Sequence, residues 1–334
     1  MIPGLRKSKR VTPKRKQCEQ DIMNINGVQI DDTFAEAFNM RGTRVIVTAQ
    51  NLKWAYNAAN AMTGFATSVI GCGVEAGIER ELAPDETPDG RPGVSILMFA
   101  MGSKVLMQQL ETRMGQCILT CPTAAAFSGI DSEDQISLGK HLRYFGDGNQ
   151  VAKLIPDAHG KNQRYWRIPV MDGEFLTQET TGMVRAIGGG NFLVLGTSQP
   201  QVLAACEAAI EAMKKIPNVI MPFPGGVVRS GSKVGSKYPK MFASTNDAFC
   251  PTLKGVVKTE LDMDIESVME IVIDGLTFED IALSMKVGIE AACSLGSEAG
   301  IKRISAGNYG GKLGQHHFKL HQILQGNLAG ATTA

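Results

Sequence analysis

An acidic residue in an unusually apolar segment is the first residue whose type and position could do chemistry. Glu270 lies in SVMEIVIDG, with apolar residues on both sides. Removing a carboxyl group from water disfavours its charged form and raises its pKa, which makes it a usable general acid or base near neutral pH. The same pattern also fits a carboxylate at a solvated strand edge, so the residues alone leave both interpretations open.

A long loop precedes this segment. Residues 222–255 contain five Gly, four Pro, four Lys and one Arg. Gly allows close approach of the backbone to a ligand, Pro fixes the turns between, and a loop this long is usually a binding element or disordered. Phe223, Phe242 and Phe249 argue against disorder. We therefore expect the loop to form much of an active site.

Three other chemistries are less favoured. Residues 226–233 resemble a phosphate-binding loop only loosely, because Ser232 intervenes before Lys233 and no helical pattern follows. The sequence has neither a C-x-x-C pair nor an H-E-x-x-H motif for a metal. Cys121 and Cys250 each precede Pro-Thr, but a nucleophilic thiol needs a nearby base and the five His show no pairing.

Composition limits the class of protein. The 334 residues suffice for two domains or one two-lobed unit, and no apolar run reaches the roughly 20 residues of a membrane helix. Residues 1–16 carry seven basic side chains, and without them the net charge of +1 becomes −6. A mildly acidic body binds nucleic acid poorly. An odd count of seven Cys favours reduced thiols and a cytoplasmic protein.

A pattern of strands and helices occurs twice, offset by about 150 residues, and predicts an α+β fold. The first copy has helices beginning at residues 52 and 103, a Gly/Pro-rich loop over 71–93, and strands at 44–48, 67–70, 94–100 and 117–120. The second copy has helices beginning near Ser198 and Thr277, and strands at 191–195, 219–221, 268–273 and 301–305. Each copy reads as a ferredoxin-like, split βαβ lobe.

The domain boundaries follow from this internal repeat. Residues 1–22 form a basic extension that we expect to be disordered, and 325–334 form a tail. We expect the first ferredoxin-like lobe over 23–127 and the second over 191–324. Turn signals such as Asp172-Gly173 predict that β-hairpins within 128–190 join the lobes.

Several long motifs resemble those of one enzyme family and occur in the same order along the chain. They are INGVQIDDTFAEAF (25–38), TPDGRPG (87–93), GQCILTCPT (115–123), FGDG (145–148), GGNF (189–192), PFPGGVVRSGSKVG (222–235), CPTLKGVV (250–257), EIVIDG (270–275) and SAGNYGGKLG (305–314). Over about residues 23–324 the chain is similar to the formylmethanofuran–tetrahydromethanopterin formyltransferases.

The resemblance implies a two-lobed α+β fold, a homotetramer and no metal or prosthetic group. It implies formyl transfer between the amine of a methanofuran or methylofuran carrier and N5 of tetrahydromethanopterin, both as co-substrates. In methylotrophic bacteria such a chain is one subunit of a formyltransferase/hydrolase complex. The alternative is a non-catalytic scaffold subunit that binds a formyl-carrier hydrolase.

The resemblance also suggests site residues. A protonated, buried glutamate is the family's proposed acid, and Glu270 in EIVIDG matches it. Since a substrate amine attacks, no protein nucleophile is needed. Both carriers are anionic, which suits the basic loop, although a solvated basic surface would have the same composition. The candidate carrier-binding residues are Pro224, Gly225, Gly226, Ser230, Ser232, Lys233, Lys254 and Asn308.

Overall fold

The computed structural model describes residues 23–156, 160, 162–229 and 231–329, and it has a mixed α+β fold. The expected extension over 1–22, Ser230 and the last five residues of the tail lie outside the described residues. The helices are α1 (Leu52–Thr63), α2 (Val69–Cys72), α3 (Ser103–Arg113), α4 (Gln199–Met213), α5 (Phe278–Cys293) and α6 (Leu320–Leu324). None of the helices in the described part is long and apolar enough to cross a membrane.

The strands, in chain order, are β1 (Met23–Ile25), β2 (Val28–Ile30), β3 (Phe34–Thr48), β4 (Glu75–Leu82), β5 (Gly93–Ala100), β6 (Ala125–Ser128), β7 (Gln135–Ser137), β8 (Val151–Pro156), β9 (Asn162–Val170), β10 (Gly173–Gln178), β11 (Thr180–Gly182), β12 (Val184–Gly196), β13 (Val219–Ile220), β14 (Ser232–Val234), β15 (Ala243–Thr245), β16 (Ser267–Gly275), β17 (Ile301–Ser305) and β18 (His316–Lys319). Most of them join one large sheet.

The two halves of the sheet have the same pairing scheme. In the N-terminal half the order is β6-β3-β5-β4, with every neighbouring pair antiparallel. In the C-terminal half the order is β17-β12-β16-β13, again antiparallel throughout. Each half therefore places its first and third strands at the centre, and two helices (α1 and α3, or α4 and α5) connect the strands.

The strand β12 belongs to both halves. Its first residues, 184–188, pair with β3, and its residues 190–196 pair with β16. A register shift between Ile187 and Gly190 separates the two pairings. The backbone hydrogen bonds of one continuous strand thus connect the halves.

The two largest of four apolar clusters in the described residues pack against the sheet. The first contains Val47, Met98 and Leu106, and the second contains Phe192, Ile271 and Met285, all fully buried. Val28 and Ile30 also pack in the second core, because β2 pairs with β17 at the edge of the sheet. The N-terminal hairpin is therefore built into the C-terminal half.

Three predicted elements were wrong. Residues 67–70 lead into the short helix α2, where the Ser68 side chain accepts a hydrogen bond from the Ile70 N–H. The expected loop 71–93 contains strand β4. Its buried residues Glu75 and Glu79 contact residues of distant segments. Residues 117–120 continue from the π-helical turn Met114–Ile118 that follows α3, rather than forming a strand.

Residues 128–183 of the expected connecting segment pack on the first core, and its last residues begin β12. The predicted hairpin at Asp172-Gly173 is present, because β9 and β10 pair in antiparallel fashion with Gly173 opposite Val170. The strand β10 then pairs with β6, and Phe175 packs in the first core. Leu142 is buried there as well, in a 3₁₀ helix.

A buried polar network fastens the halves beside β4. Arg44 donates two hydrogen bonds to the Glu79 carboxylate, at 2.7 and 2.8 Å, and one at 2.6 Å to the Asn218 side-chain oxygen. The Asn218 backbone N–H donates to Glu79 at 2.7 Å. Burial acts to raise the pKa of Glu79, but Arg44 and the other donors hold it below its ordinary value. Glu79 is therefore a buried carboxylate that depends on its partners.

We expect Arg44→Met to reduce the free energy of unfolding by about 3 kcal/mol, because it leaves the Glu79 charge buried without a counter-ion. Urea denaturation measures the change. Arg80→Met is the matched control, since its ion pair with Glu86 is exposed at 50% and 41% and should contribute little to stability. Equal losses for the two variants would contradict the importance of the buried network.

Candidate functional site

Glu270 lies at the centre of β16 on the face opposite the second core. Along the strand Met269, Ile271 and Ile273 point into that core, so Glu270 points to the other side. One neighbour in the sheet is Leu193 of β12. On the other side Val228, from the long loop, exchanges two backbone hydrogen bonds with Glu270, at 2.8 and 2.9 Å. The loop thus continues the sheet at the point where the carboxyl group stands.

The carboxyl group of Glu270 is largely shielded from water, although the residue as a whole is only partly buried. None of the described residues donates a hydrogen bond to it, and burial alone raises the pKa of Glu270 to about 7. A Cβ atom on Gly307 would lie 3.5 Å from Oε1, and one on Gly231 would lie 3.7 Å from Oε2. Two glycine backbones therefore border the carboxyl group without offering it a donor. Such a group exchanges a proton readily near neutral pH.

Two cavities meet at Glu270. The first, here called the loop cavity, is bounded by Arg229, Asn246 and Phe249 of the long loop and has about 630 Å³ of empty space, including its open part. The second, here called the interface cavity, lies between the halves and has about 790 Å³. Its walls are mainly apolar: Phe38, Met40, Val69, Met101, Phe223 and Val272. The residues common to both cavities are Asn191, Val228, Gly231, Ser232, Glu270 and Tyr309.

A loop after β17 forms one wall at the junction. Glu36 is 1% exposed, and its two carboxylate oxygens accept backbone hydrogen bonds at 2.6–2.8 Å from Tyr309, Gly311, Leu313 and Gly314. Although burial acts to raise it, these four donors hold the pKa of Glu36 below its ordinary value. The residues Tyr309–Gly314 are here called the clamped loop, since one ionised side chain fixes their backbone.

Asn191 fixes the adjoining residue Gly307. The Asn191 side-chain oxygen accepts from the Gly307 N–H at 2.6 Å, and its amide donates to the Gly307 carbonyl at 3.2 Å and the Gly189 carbonyl at 3.1 Å. These bonds use both the acceptor and the donors of the amide. Asn191 therefore has a positioning role in the wall of the two cavities.

Two acidic residues, Asp274 and Glu75, lie close together next to the interface cavity, which Glu75 lines. Asp274 is fully buried on the same face of β16 as Glu270, and it accepts a hydrogen bond from the Gly189 N–H at 3.0 Å. Burial raises its pKa well above the ordinary value, and the neighbouring carboxyl of Glu75 from β4 raises it further. Burial also raises the pKa of Glu75. Both carboxyl groups therefore resist ionisation at the contact between the halves.

The expected site residues differ in whether they line the two cavities. Ser232 lines both cavities, and Asn308 lines the loop cavity while its amide donates to the Phe34 carbonyl. Lys233 is near these cavities, where its Nζ atom pairs with Asp247 at 2.5 Å. Lys254 is turned inward and donates to the carbonyls of Met263 and Ile265.

Pro224, Gly225 and Gly226 form a 3₁₀ turn away from Glu270. Gly225 and Gly226 line a separate groove between β4 and α4, and Phe223 joins that groove to the interface cavity. A Cβ atom on Gly226 would lie 2.4 Å from Ile210 Cδ1, so the turn packs closely on α4. Ser230, the remaining expected residue, lies outside the described residues.

Sequence reasoning missed Tyr309, Glu36 and Asn191. Tyr309 stands beside Asn308 in the motif GNYGG, but nothing local shows that its neighbours bind Glu36, which is 273 residues away from Tyr309. The thiol of Cys250 lies in the loop cavity, where it contacts the Asn246 carbonyl, and no histidine lines that cavity. Within the described part of the chain, no three His, Cys, Asp or Glu residues are grouped to hold a metal ion.

We expect Glu270→Gln to make stability less dependent on pH. The pKa of Glu270 rises from an ordinary 4.5 to about 7 on folding, so the native protein binds more protons than the unfolded chain between these values. Ionisation therefore destabilises the wild type as pH rises. Relative to wild type, Glu270→Gln should gain up to about 3 kcal/mol between pH 5 and pH 8. Urea denaturation at both pH values measures this, and Glu290→Gln, an exposed substitution on α5, is the control. A pH-independent difference for Glu270→Gln would contradict desolvation of this carboxyl group.

Comparison with known proteins identifies the family. Residues 23–170 match the family described as formylmethanofuran-tetrahydromethanopterin formyltransferase, and residues 173–323 match the family described as FTR, proximal lobe. A formylmethanofuran–tetrahydromethanopterin formyltransferase from Methylobacillus flagellatus is 76% identical, over 90% of this chain and 100% of the relative. A relative named as one subunit of the formyltransferase/hydrolase complex of Methylorubrum extorquens is 55% identical, over 90% and 97%.

Two solved structures share the fold. One is the formyltransferase/hydrolase complex of Methylorubrum extorquens with methylofuran, in which the matching chain has a TM-score of 0.89 and 55% identity, over 91% of this chain and 99% of that one. The other is the formyltransferase from Methanosarcina barkeri, with a TM-score of 0.84 and 47% identity, over 90% and 100%. The chain belongs to the formylmethanofuran–tetrahydromethanopterin formyltransferase family.

Proposed function

We propose that this chain transfers a formyl group between N5 of tetrahydromethanopterin and the amine of a methanofuran or methylofuran carrier, by direct attack in a ternary complex. The observation that carries the proposal is the meeting of two cavities at one desolvated carboxyl group. Two carriers, one in each cavity, would bring the attacking nitrogen and the formyl carbon together beside Glu270. Such placement alone can lower a barrier by several kcal/mol.

Glu270 manages the proton in this mechanism. N5 of the pterin attacks the formyl carbon and gives a tetrahedral intermediate with a negatively charged oxygen. The C–N bond to the furan amine then breaks while protonated Glu270 gives its proton to the departing nitrogen. The resulting carboxylate takes the proton that N5 loses, so Glu270 ends the cycle protonated. A pKa of about 7 suits both transfers.

The remaining carrier contacts follow from the cavities. Ser232 and Asn308 offer polar contacts in the loop cavity, and Arg229 supplies positive charge there for an anionic carrier tail. Lys233, next to Ser232, is a second cation, although Asp247 already pairs with it. A tail that leaves the interface cavity past Phe223 runs along the groove of Gly225 and Gly226, next to Pro224. Lys254 stabilises the loop through its bonds to backbone carbonyls rather than meeting a carrier directly.

The architecture we propose for this activity is a pair of ferredoxin-like lobes related by an internal repeat. Its support is the identical strand order in the two halves, with the first and third strands central and all pairs antiparallel. The lobes take in 23–127 and 191–324, with the additions that β1 and β2 pack on the second lobe and 128–183 on the first. The long insertion 222–255 occurs only in the second lobe, between its second and third strands.

The assembly we propose is a cytoplasmic homotetramer that also binds hydrolase subunits. The relative named as a subunit of a formyltransferase/hydrolase complex and the matching structure of that complex support the hydrolase subunits, and the homotetramer and the location rest on the family resemblance. Size-exclusion chromatography with light scattering measures the oligomeric state of the isolated chain. A stable monomer at micromolar concentration would oppose the homotetramer.

We expect Glu270→Gln to lower kcat by at least tenfold, since general acid–base catalysis is typically worth 10²–10⁴. With formylfuran as donor, the wild-type rate should fall above pH 7, because the acid form of Glu270 is then lost. The variant should lack that decrease. A formyl-transfer assay across pH 5.5–9 measures both effects, with Glu290→Gln as the matched control.

Full activity of Glu270→Gln would remove this residue from the mechanism. The scaffold alternative has its own distinguishing result. Wild-type protein that binds both carriers but transfers no formyl group, with or without hydrolase subunits, would establish a non-catalytic subunit.

A further inference from the structure

Two arginines stand directly opposite each other where the halves of the sheet are joined. Arg185 of β12 is the register partner of Arg41 of β3, within the pairing of residues 184–188 that connects the halves. The side chains of directly opposite residues lie on one face of a sheet, with Cβ atoms about 4.5–5.5 Å apart, and like charges in this relation are destabilising. The strand pair that joins the halves therefore carries an electrostatic cost.

Neither arginine has a partner in the described part of the chain. No ion pair or hydrogen bond joins the side chain of Arg41 or Arg185 to a described residue, although Arg41 is partly buried. Arg229, which lines the loop cavity, is the third such arginine. The other described arginines pair with carboxylates or donate to carbonyls, and they are Arg44, Arg80, Arg91, Arg113, Arg143, Arg164, Arg167 and Arg303. Two unpaired guanidinium groups side by side are therefore an exception in this structure.

The neighbouring residues add positive charge and hydrogen-bond donors. On its other side Arg41 pairs with Ala100, the last residue of β5, and α3 begins shortly afterwards with the exposed Lys104 and no acidic residue in its first turn. Asn39, two residues before Arg41, is on the same face of β3. Its side-chain oxygen accepts a hydrogen bond from His316 at 2.8 Å, so its NH₂ group is turned toward other acceptors.

This group of donors is separate from the site at Glu270. Phe38 and Met40 alternate with Asn39 and Arg41 along β3, and both line the interface cavity. Because successive side chains of a strand point to opposite faces, the arginine pair is on the face of the sheet that does not bear this cavity. A ligand of the arginine pair therefore acts on the joining of the halves and does not meet the carriers.

The chemistry of the pair selects the class of ligand. A guanidinium group presents a planar fork of N–H donors that matches phosphate and carboxylate oxygens, and it stays charged in proteins. A carboxylate carries one negative charge and fills one fork, whereas a phosphate dianion carries nearly two charges and has oxygens for two forks. One phosphate group therefore matches two opposed guanidinium groups both in charge and in donors.

We propose that Arg41 and Arg185 bind one phosphate group, either inorganic phosphate or the phosphate of a monoester, with the Asn39 side chain as an additional donor. The bound anion replaces repulsion between the two guanidinium groups by attraction of each to the phosphate. It thereby stabilises the pairing of β12 with β3. The site does not depend on the proposed formyl transfer, because none of these three residues lines either cavity.

Equilibrium dialysis with radiolabelled inorganic phosphate at constant ionic strength is the direct test. We expect saturable binding of one phosphate per chain, and a dissociation constant at least about tenfold higher in Arg185→Met, since hydrogen bonds to charged groups contribute at least that much. Arg167→Met is the matched control, because this arginine is also on a strand but is already paired with Glu174. Arg229→Met tests whether phosphate binds in the loop cavity instead. Both of these variants should bind phosphate as wild type does.

Thermal unfolding separates loss of the site from loss of the fold. Wild type should unfold about 2–3 °C higher in phosphate at about twentyfold above its dissociation constant than in chloride, because a ligand of the native state stabilises that state by mass action. Arg185→Met should lack this rise. In chloride it should unfold no earlier than wild type, because the substitution removes the repulsion between like charges. Arg41→Met repeats the comparison from the other strand.

Ligand analogues identify the source and the charge of the anion. Tighter binding of glycerol 2-phosphate, a monoester, than of inorganic phosphate would indicate a phosphorylated metabolite, and the reverse order would indicate free phosphate. Acetate should bind at least about tenfold more weakly, since it carries one charge and fills one fork. Three results would overturn the site: equal binding of acetate and phosphate, undiminished phosphate binding in both Arg185→Met and Arg41→Met, or loss of phosphate binding in Arg229→Met.

Discussion

A carboxyl group taken out of water without a hydrogen bond in return is the constraint on which this structure depends. Strand β16 can hold Glu270 in that state because its opposite face is anchored by Met269, Ile271 and Ile273 in the second core. The loop closes the other edge through Val228, so the backbone there has its hydrogen bonds although the side chain does not. Packing elsewhere in the fold offsets the free-energy cost of shielding the Glu270 carboxyl group from water, and the raised pKa that results is useful for proton transfer.

Four other buried carboxyl groups near the contact between the halves show how unusual Glu270 is. Glu79 has an arginine, and Glu36 has four backbone N–H groups, so both are ionised. Glu75 and Asp274 lie together, and burial raises the pKa of both. Each of these interactions also joins segments that are distant in sequence. Only Glu270 among these five is left without a hydrogen-bond donor in the described residues, and it alone stands where two cavities meet.

The sequence predicted the regular parts of this arrangement. The periodic helices α1, α3, α4 and α5 were predicted because each buries one apolar face, and the apolar surroundings of Glu270 marked it as a candidate acid. The family resemblance is confirmed by relatives that span the same residues.

What was missed depended on contacts between distant segments. Strand β4 resembles a loop in sequence because Gly77 and its charged neighbours look solvated, whereas Glu79 is buried against Arg44 and a Cβ atom on Gly77 would meet Ile220 at 3.1 Å. The clamped loop was likewise invisible, since Glu36 is ordinary in its own strand. Hydrogen bonds between residues that are distant in sequence produce no periodic pattern in the sequence itself.

The strand shared by the two halves has a consequence for how the enzyme works over time. Many transferases exclude water by swinging two domains together on a hinge. Here β12 runs through both halves, and Arg44 and Glu79 of one half are hydrogen-bonded to Asn218 of the other, so such a swing would break this buried network. The dry surroundings of the acid are therefore built when the chain folds and not when the carriers arrive. Access of the carriers would then depend on the loops that border the two cavities, while the sheet that holds Glu270 keeps the same arrangement before and after binding.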